Sequence, residues 1–187
     1  MKKDLINAIL FTIVTTVIFG LLYPLGMTGL SRWFFPKQAA GSLIEKEGRV
    51  RGSSLIGQSF TSDRYFHSRP SNAGNGYDAA ASSASNLAPT NQALMDRVKA
   101  DVAKLQQENP GVPIPADLVT TSGSGLDPHI SPAAADFQIP RVAKARGISA
   151  ESLKAVVARH TQQRSVGIFG EPRVNVLELN LDLDGLQ

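Results

Sequence analysis

The sequence predicts an α+β protein, in which one N-terminal transmembrane helix is followed by a single mixed α/β soluble domain with a small sheet. Three observations carry this expectation. Residues 5 to 31 contain no charged side chain. Apolar residues recur at helical spacing in two later stretches, and short apolar runs bounded by turn residues mark strands between them. The chain has 187 residues, and the portion after the apolar segment fits one domain of the usual ~100–200 residues. The expected division is a tail and membrane helix over 1–35 and a soluble domain over 36–187, with an extended loop at about 68–89.

The apolar segment comes first. At about 1.5 Å per residue, the part before Pro24 alone nearly crosses a hydrocarbon core of roughly 30 Å. A cleaved secretory signal is the alternative, given Lys2, Lys3 and the small residues Ala39 and Ala40. The run exceeds the usual ~7–15-residue signal core, and Trp33-Phe-Phe-Pro36 separates it from those small residues, so a retained anchor is favoured. Trp33, Phe34 and Phe35 suit a membrane–water interface, flanked by Arg32 and Lys37. Ala8, Thr12, Thr16 and Gly20 recur every four residues and form one small-residue stripe, a candidate face for docking a partner helix in lipid. The short basic tail places the N-terminus in the cytoplasm and the domain outside it.

The domain elements come next, in chain order. Ser42 to Gly52 reads as two short strands around a turn near Gly48. Ser68 to Pro89 is dense in Ser, Asn, Gly and Ala, too poor in large apolar groups to fold on itself; a loop this long is usually functional or disordered. Thr90 or Asn91 caps a helix whose Leu94, Met95, Val98, Val102 and Leu105 share one face and are expected in the core, and Asn109-Pro-Gly111 ends it. Ser131 and Pro132 open an Ala-rich helix running toward Gly147, which Pro140 should kink or split. Ser149 caps another, with Leu153, Val156, Val157 and His160 on one side. Arg173 to Leu183 is expected as a strand whose apolar parity shifts at Val176/Leu177, suggesting a bulge or burial on both faces.

Composition excludes several functions. Residues 33–187 carry 16 Lys+Arg and 15 Asp+Glu, with no basic cluster interleaved with aromatics, so nucleic acid is not an expected partner. No cysteine is present, which removes disulfides, thiolate metal sites and Cys nucleophiles. His67, His129 and His160 are widely spaced, so no metal site is expected; His160 reads as a hydrogen-bonded core histidine. Asp182 and Asp184 read as solvated strand-end charges. Neither the phosphate-binding Gly-x-x-x-x-Gly-Lys-Ser/Thr loop nor an Asp-Lys-Thr-Gly-Thr phosphorylation site is present, so the chain is not itself an ATPase of either sort.

One cluster, Ser122-Gly-Ser-Gly-Leu-Asp-Pro-His129, carries three readings. Ser122, Gly123, Ser124 and Gly125 could form a nest of backbone N–H groups near a helix start that holds an anion such as a nucleotide phosphate. Ser124, His129 and Asp127 could form a hydrolase constellation, although Ser124 lacks the strand–turn–helix elbow that exposes such a nucleophile. The plain reading is a Gly-rich turn before a capped helix. No residue is assigned as catalytic.

Taken together, Leu55-Ile-Gly-Gln-Ser-Phe60, Tyr65-Phe-His-Ser-Arg-Pro-Ser71, Ser85-Asn-Leu-Ala-Pro-Thr-Asn91, Asp117-Leu-Val-Thr120, Ser122 to Pro132, Arg141-Val-Ala-Lys-Ala-Arg-Gly147 and Gly170-Glu-Pro-Arg-Val-Asn-Val-Leu177 occur in this order behind an N-terminal anchor. In this the chain closely resembles the C subunits of Kdp-type potassium-transporting P-type ATPases of bacteria, over essentially its whole length. Ala84, Ala88 and Ser68 stand where that family has glycine, and would be strained if those positions need positive φ. The resemblance implies a non-catalytic subunit of an inner-membrane complex, with a channel-like subunit conducting K+ and a P-type subunit hydrolysing ATP as partners. It also implies a role in assembly and activity, described for the family as a catalytic chaperone that raises ATP affinity. ATP is then met only through the complex. A domain outside the membrane fits a cap over the ion entrance, acting on ATP use through a conformational equilibrium. A membrane-tethered exported hydrolase using Ser124 and His129, and a membrane-anchored nucleotide-binding module, are the competing classes.

Overall fold

The computed structural model describes residues 1–185; the last two residues of the expected domain, Leu186 and Gln187, lie outside the described residues. The chain divides into two compact units, Met1–Ser53 and the residues from Ser54 onward.

In the first unit, α1 (Lys2–Val17) and α2 (Tyr23–Phe34) join through a π turn at Ile18–Leu22. The result is one apolar helix of 33 residues, long and apolar enough to cross a bilayer, with none of its most apolar window packed inside the chain. Pro24 gives the π turn a cause. Its ring lacks an N–H and crowds the carbonyl four residues back, and a locally wider turn relieves the clash. A short helical turn, α3 (Pro36–Ala39), leads to the expected hairpin, β1 (Leu43–Lys46) antiparallel to β2 (Arg49–Ser53). Glu47 and Gly48 both take positive φ, 57° and 70°, as a two-residue turn matched to strand twist requires.

The second unit packs helices on a three-stranded antiparallel sheet. Its strands are β3 (His129–Ile130), β4 (Thr161–Gln162) and β5 (Arg173–Asn175), with β5 in the centre. Ile130 and Thr161 both pair with Val174. On the sheet lie α5 (Pro132–Arg146), α6 (Ala150–His160) and α7 (Val176–Leu183). Ile130, Phe137, Ile139, Val142, Leu153, Val157, Val174 and Leu179 form the centre of the core. Ser131 caps α5 by accepting from the Ala134 amide at 3.0 Å, and Gly147 closes it at φ 70°. Ser149 caps α6.

Four expectations need correction. The segment from Arg173 is a strand for three residues only; from Val176 it is helix. The Asn175 carboxamide accepts from the Glu178 amide at 3.2 Å and starts that helix. Val176, Leu177, Leu179, Asn180 and Leu183 are its buried positions, a helical spacing. The apparent alternation of 177, 179, 181 and 183 was a coincidence of leucines, and the parity shift marks the strand–helix junction. Asp182 and Asp184 therefore belong to a helix end, where Asp182 meets His160 at 3.0 Å and Arg159 at 3.3 Å, and Asp184 meets Arg146 at 2.9 Å. Pro140 does not split α5, because it lies on the exposed side, where water can satisfy the carbonyl it leaves without a donor. Finally, α4 (Gln92–Glu108), capped by Asn91, has no fully buried residue. Of its apolar stripe Leu94, Val98, Val102 and Leu105 are half-buried and Met95 is exposed, and only Leu105 packs against the core.

Segment 54–90 has no helix or strand, yet it is tightly held. Among its non-glycine residues positive φ falls on Tyr77 and Asn86, and not on Ser68, Ala84 or Ala88, so the three residues where the resemblance would put glycine are unstrained.

Candidate functional site

The Ser122–His129 loop is stitched to the irregular segment 54–90 on both sides. The Ser124 carbonyl accepts from the Ser83 amide at 3.0 Å and the Ser82 hydroxyl at 2.9 Å. The Gly125 carbonyl accepts from the Ser71 hydroxyl at 2.6 Å, and the Leu126 carbonyl from the Gly57 amide at 2.7 Å. Gly125 sits at φ 67°, and a β-carbon there would lie 2.5 Å from the Ser83 carbonyl oxygen; beside Gly123 there is open space. The loop is thus an ordered clamp, with one glycine that the packing demands and one that it does not.

The predicted site residues are placed as follows. The Ser124 hydroxyl accepts from the Leu126 amide at 3.1 Å and pairs with the Ser122 hydroxyl at 3.3 Å. His129 Nδ1 lies 3.3 Å from Asp127 Oδ1, which also accepts from the His129 amide at 3.0 Å. Asp127 Oδ2 accepts from Arg69 at 3.1 Å. Among the described residues no hydrogen bond joins Ser124 to His129, so the Asp127–His129 half of the constellation is assembled and the Ser124 hydroxyl bonds Leu126 and Ser122 instead. Burial works to raise the Asp127 pKa, but hydrogen bonds from His129 and the Arg69 charge outweigh it and hold the carboxyl below its ordinary value. The start of α5 is occupied by the chain's own carboxylate: Asp117 accepts from the Ser131 amide at 2.6 Å and its hydroxyl at 3.1 Å. An anion at Ser122–Gly125 would therefore rely on the loop's own amides.

A second constellation escaped the sequence reading. Asn180 Oδ1 accepts from the Phe66 amide and its Nδ2 donates to the Phe66 carbonyl, both at 2.9 Å. Gln138 does the same for His67, at 2.7 and 3.1 Å. Two buried carboxamides thus stand in for a neighbouring strand. Arg141 adds bonds to the Asp63 and Tyr65 carbonyls, to Gln138 and to Glu108, at 2.7 to 3.0 Å. Arg146 reaches the Arg64 and Leu183 carbonyls, at 2.6 and 3.0 Å, and lies 5.0 Å from the Tyr65 ring centroid. The one available signal was a glutamine between Phe137 and Ile139 and an asparagine between Leu179 and Leu181, amides on the apolar side of their helices.

Of these residues Gln138 and Arg141 wall a cleft of about 320 Å³, together with His67, Arg69, Tyr77, Lys104 and Glu108. Burial first, and the nearby Arg141 charge second, lower the His67 pKa from its ordinary 6.5; its Nε2 lies 3.1 Å from the Ser62 carbonyl, which fits an N–H donor there. Burial raises the Tyr77 hydroxyl above its ordinary value, and that hydroxyl donates to the Arg69 carbonyl. Among the described residues no group of three or more His, Asp or Glu could hold a metal ion. On the anchor, Thr12 donates to the Ala8 carbonyl at 2.9 Å, and a β-carbon on Gly20 would meet only the Thr16 methyl at 3.7 Å. The stripe of Ala8, Thr12, Thr16 and Gly20 is continuous across the start of the π turn.

Fold and site together define a class: an α+β domain carried behind one exposed apolar helix, built around an amide-stitched irregular segment. The chain belongs to the KdpC family, described as K+-transporting ATPase, c chain, whose profile matches residues 5–185. It is 61% identical over 187 residues to the "Potassium-transporting ATPase KdpC subunit" of Koribacter versatilis (strain Ellin345), covering 100% of this chain and 97% of that relative. It is 56% identical over 196 aligned positions to the protein of the same name from Rhodopseudomonas palustris (strain BisB18), covering 98% of each chain. With the one from Methylobacterium nodulans it shares 55% identity over 198 positions, covering 100% of this chain and 98% of the other. The resemblance drawn from the ordered segments Leu55–Leu177 is borne out.

Proposed function

We propose that this chain is the non-catalytic accessory subunit of an ATP-driven, high-affinity potassium-uptake complex in the bacterial inner membrane, with its N-terminus in the cytoplasm and its domain outside. Its partners are a channel-like K+-conducting subunit and a P-type subunit that hydrolyses ATP. The observation that carries this reading is the full-length match to subunits of a potassium-transporting ATPase.

Within the complex the domain caps the outer ion entrance and raises the pump subunit's ATP affinity indirectly, by favouring one conformation of its partners. The internal bonding of the Ser124 hydroxyl and carbonyl supports the indirect route over direct nucleotide contact. Ala8, Thr12, Thr16 and Gly20 dock the anchor against a partner helix through close packing in lipid.

The test combines sidedness with assembly. A cysteine introduced at Ser54 should react with a membrane-impermeant reagent added to intact spheroplasts; labelling only after permeabilisation refutes the outside domain. Thr16→Ile and Gly20→Leu should loosen the purified complex in mild detergent, whereas Ile18→Leu should not. Equal co-purification of all three variants refutes the docking face.

A further inference from the structure

Between β4 and β5 the chain makes a hairpin whose tip carries Val166, Ile168 and Phe169, which are 89%, 74% and 69% exposed. Among the described residues from Ser54 onward, the other exposed large hydrophobics are Leu55, Met95 and Val112, which are scattered along the sequence. Three within four residues form an apolar knob, and exposed apolar patches are often functional. The knob is preformed. Ser165 and Phe169 exchange backbone hydrogen bonds at 2.8 and 3.0 Å, and Arg164 pairs with Glu171 at 2.7 Å across the neck. Val166 holds φ 54°, a conformation that glycine or asparagine adopts far more easily than a β-branched residue. The turn's own hydrogen bonds hold that conformation, and they present the Val166 side chain to the outside rather than to the chain's own core.

We infer that the Val166–Phe169 tip inserts into an apolar crevice on a neighbouring protein subunit of the transport complex. This rests on the accessory-subunit reading above. Charge selects protein over lipid. A hairpin meant for an anionic membrane surface carries a collar of Lys and Arg. Thr161–Arg173 holds two arginines and no lysine, and one arginine is neutralised by the exposed Glu171. Area selects a tethered neighbour over a second copy. The tip falls well short of the ~800 Å² per partner of a free-standing interface. It suffices where an anchor in the same bilayer already supplies a high effective concentration.

The experiment uses the whole complex purified in mild detergent. A benzophenone amino acid replacing Phe169 should give one main photo-adduct, with apolar residues of a different subunit. The pair Ile168→Ser/Phe169→Ser should speed loss of this chain from the complex roughly tenfold, while its own thermal unfolding stays unchanged. Adducts confined to lipid or detergent, adducts to a second copy, or no adduct in an intact complex would each overturn the inference. So would an unaltered dissociation rate. If no subunit co-purifies even with the unsubstituted chain, the accessory-subunit reading falls, and this inference with it; an intact complex indifferent to the tip removes this inference alone.

Discussion

Replacing Asn180 by leucine tests whether side-chain amides hold the irregular half of the domain. Asn180 is 1% exposed, and its carboxamide bonds both the amide and the carbonyl of Phe66, itself fully buried. Leucine has the same branched four-heavy-atom frame and somewhat more bulk, so the substitution deletes hydrogen bonds without opening a cavity. Two buried backbone groups then lose their partners, at about 1–3 kcal/mol each. Burying the extra apolar surface returns about 1–2 kcal/mol. At the middle of those ranges the net loss is about 2–3 kcal/mol, a substantial part of a typical domain stability of about 5–15 kcal/mol. The assay is thermal and denaturant unfolding of the full chain in detergent micelles, followed by circular dichroism. Hydrogen exchange at the Phe66 amide reports the local effect. A loss well under 1 kcal/mol with unchanged Phe66 protection would refute the reasoning, because it would mean that segment 54–90 is held by something else.

The site carries two further predictions. Gly125→Ala should destabilise the domain by about 2–4 kcal/mol, since it combines a positive φ with a 2.5 Å approach to the Ser83 carbonyl, whereas Gly123→Ala, facing open space, should leave the melting temperature nearly unchanged; equal effects would remove the clamp as described. His67, whose folded pKa lies below 6.5, favours the fold when neutral. Its contribution is therefore complete above about pH 6.5 and is lost as pH falls through the interval between 6.5 and the lowered value, so His67→Gln should flatten the stability profile between pH 7 and 5, and superimposable profiles would sink that assignment.

The legible parts of this protein were those written in neighbouring residues. An uninterrupted apolar run declares a membrane helix. Asn91, Ser131 and Ser149 declare helix starts, because a cap bonds an amide only two or three residues away. Glu47-Gly48 declares a tight turn. The ordered segments were enough to point to the family, since each is a local string. Where local signals conflicted, the reading failed: the Val176–Leu183 leucines fit either period, and only packing against α6 and β5 settled them as helix. The site was the least legible. Gln138 and Asn180 are 71 and 114 residues from the backbone groups they bond, and Arg141 and Arg146 reach carbonyls as distant. A carboxamide on an apolar helix face announces that it needs partners, but which backbone it bonds depends on the chain path through space. Composition predicted that 68–89 could not fold on itself; the tertiary structure decided that the Thr120–Asp127 loop would hold it while helix side chains from the far end hold 63–67, because every buried donor and acceptor of that path had to be met.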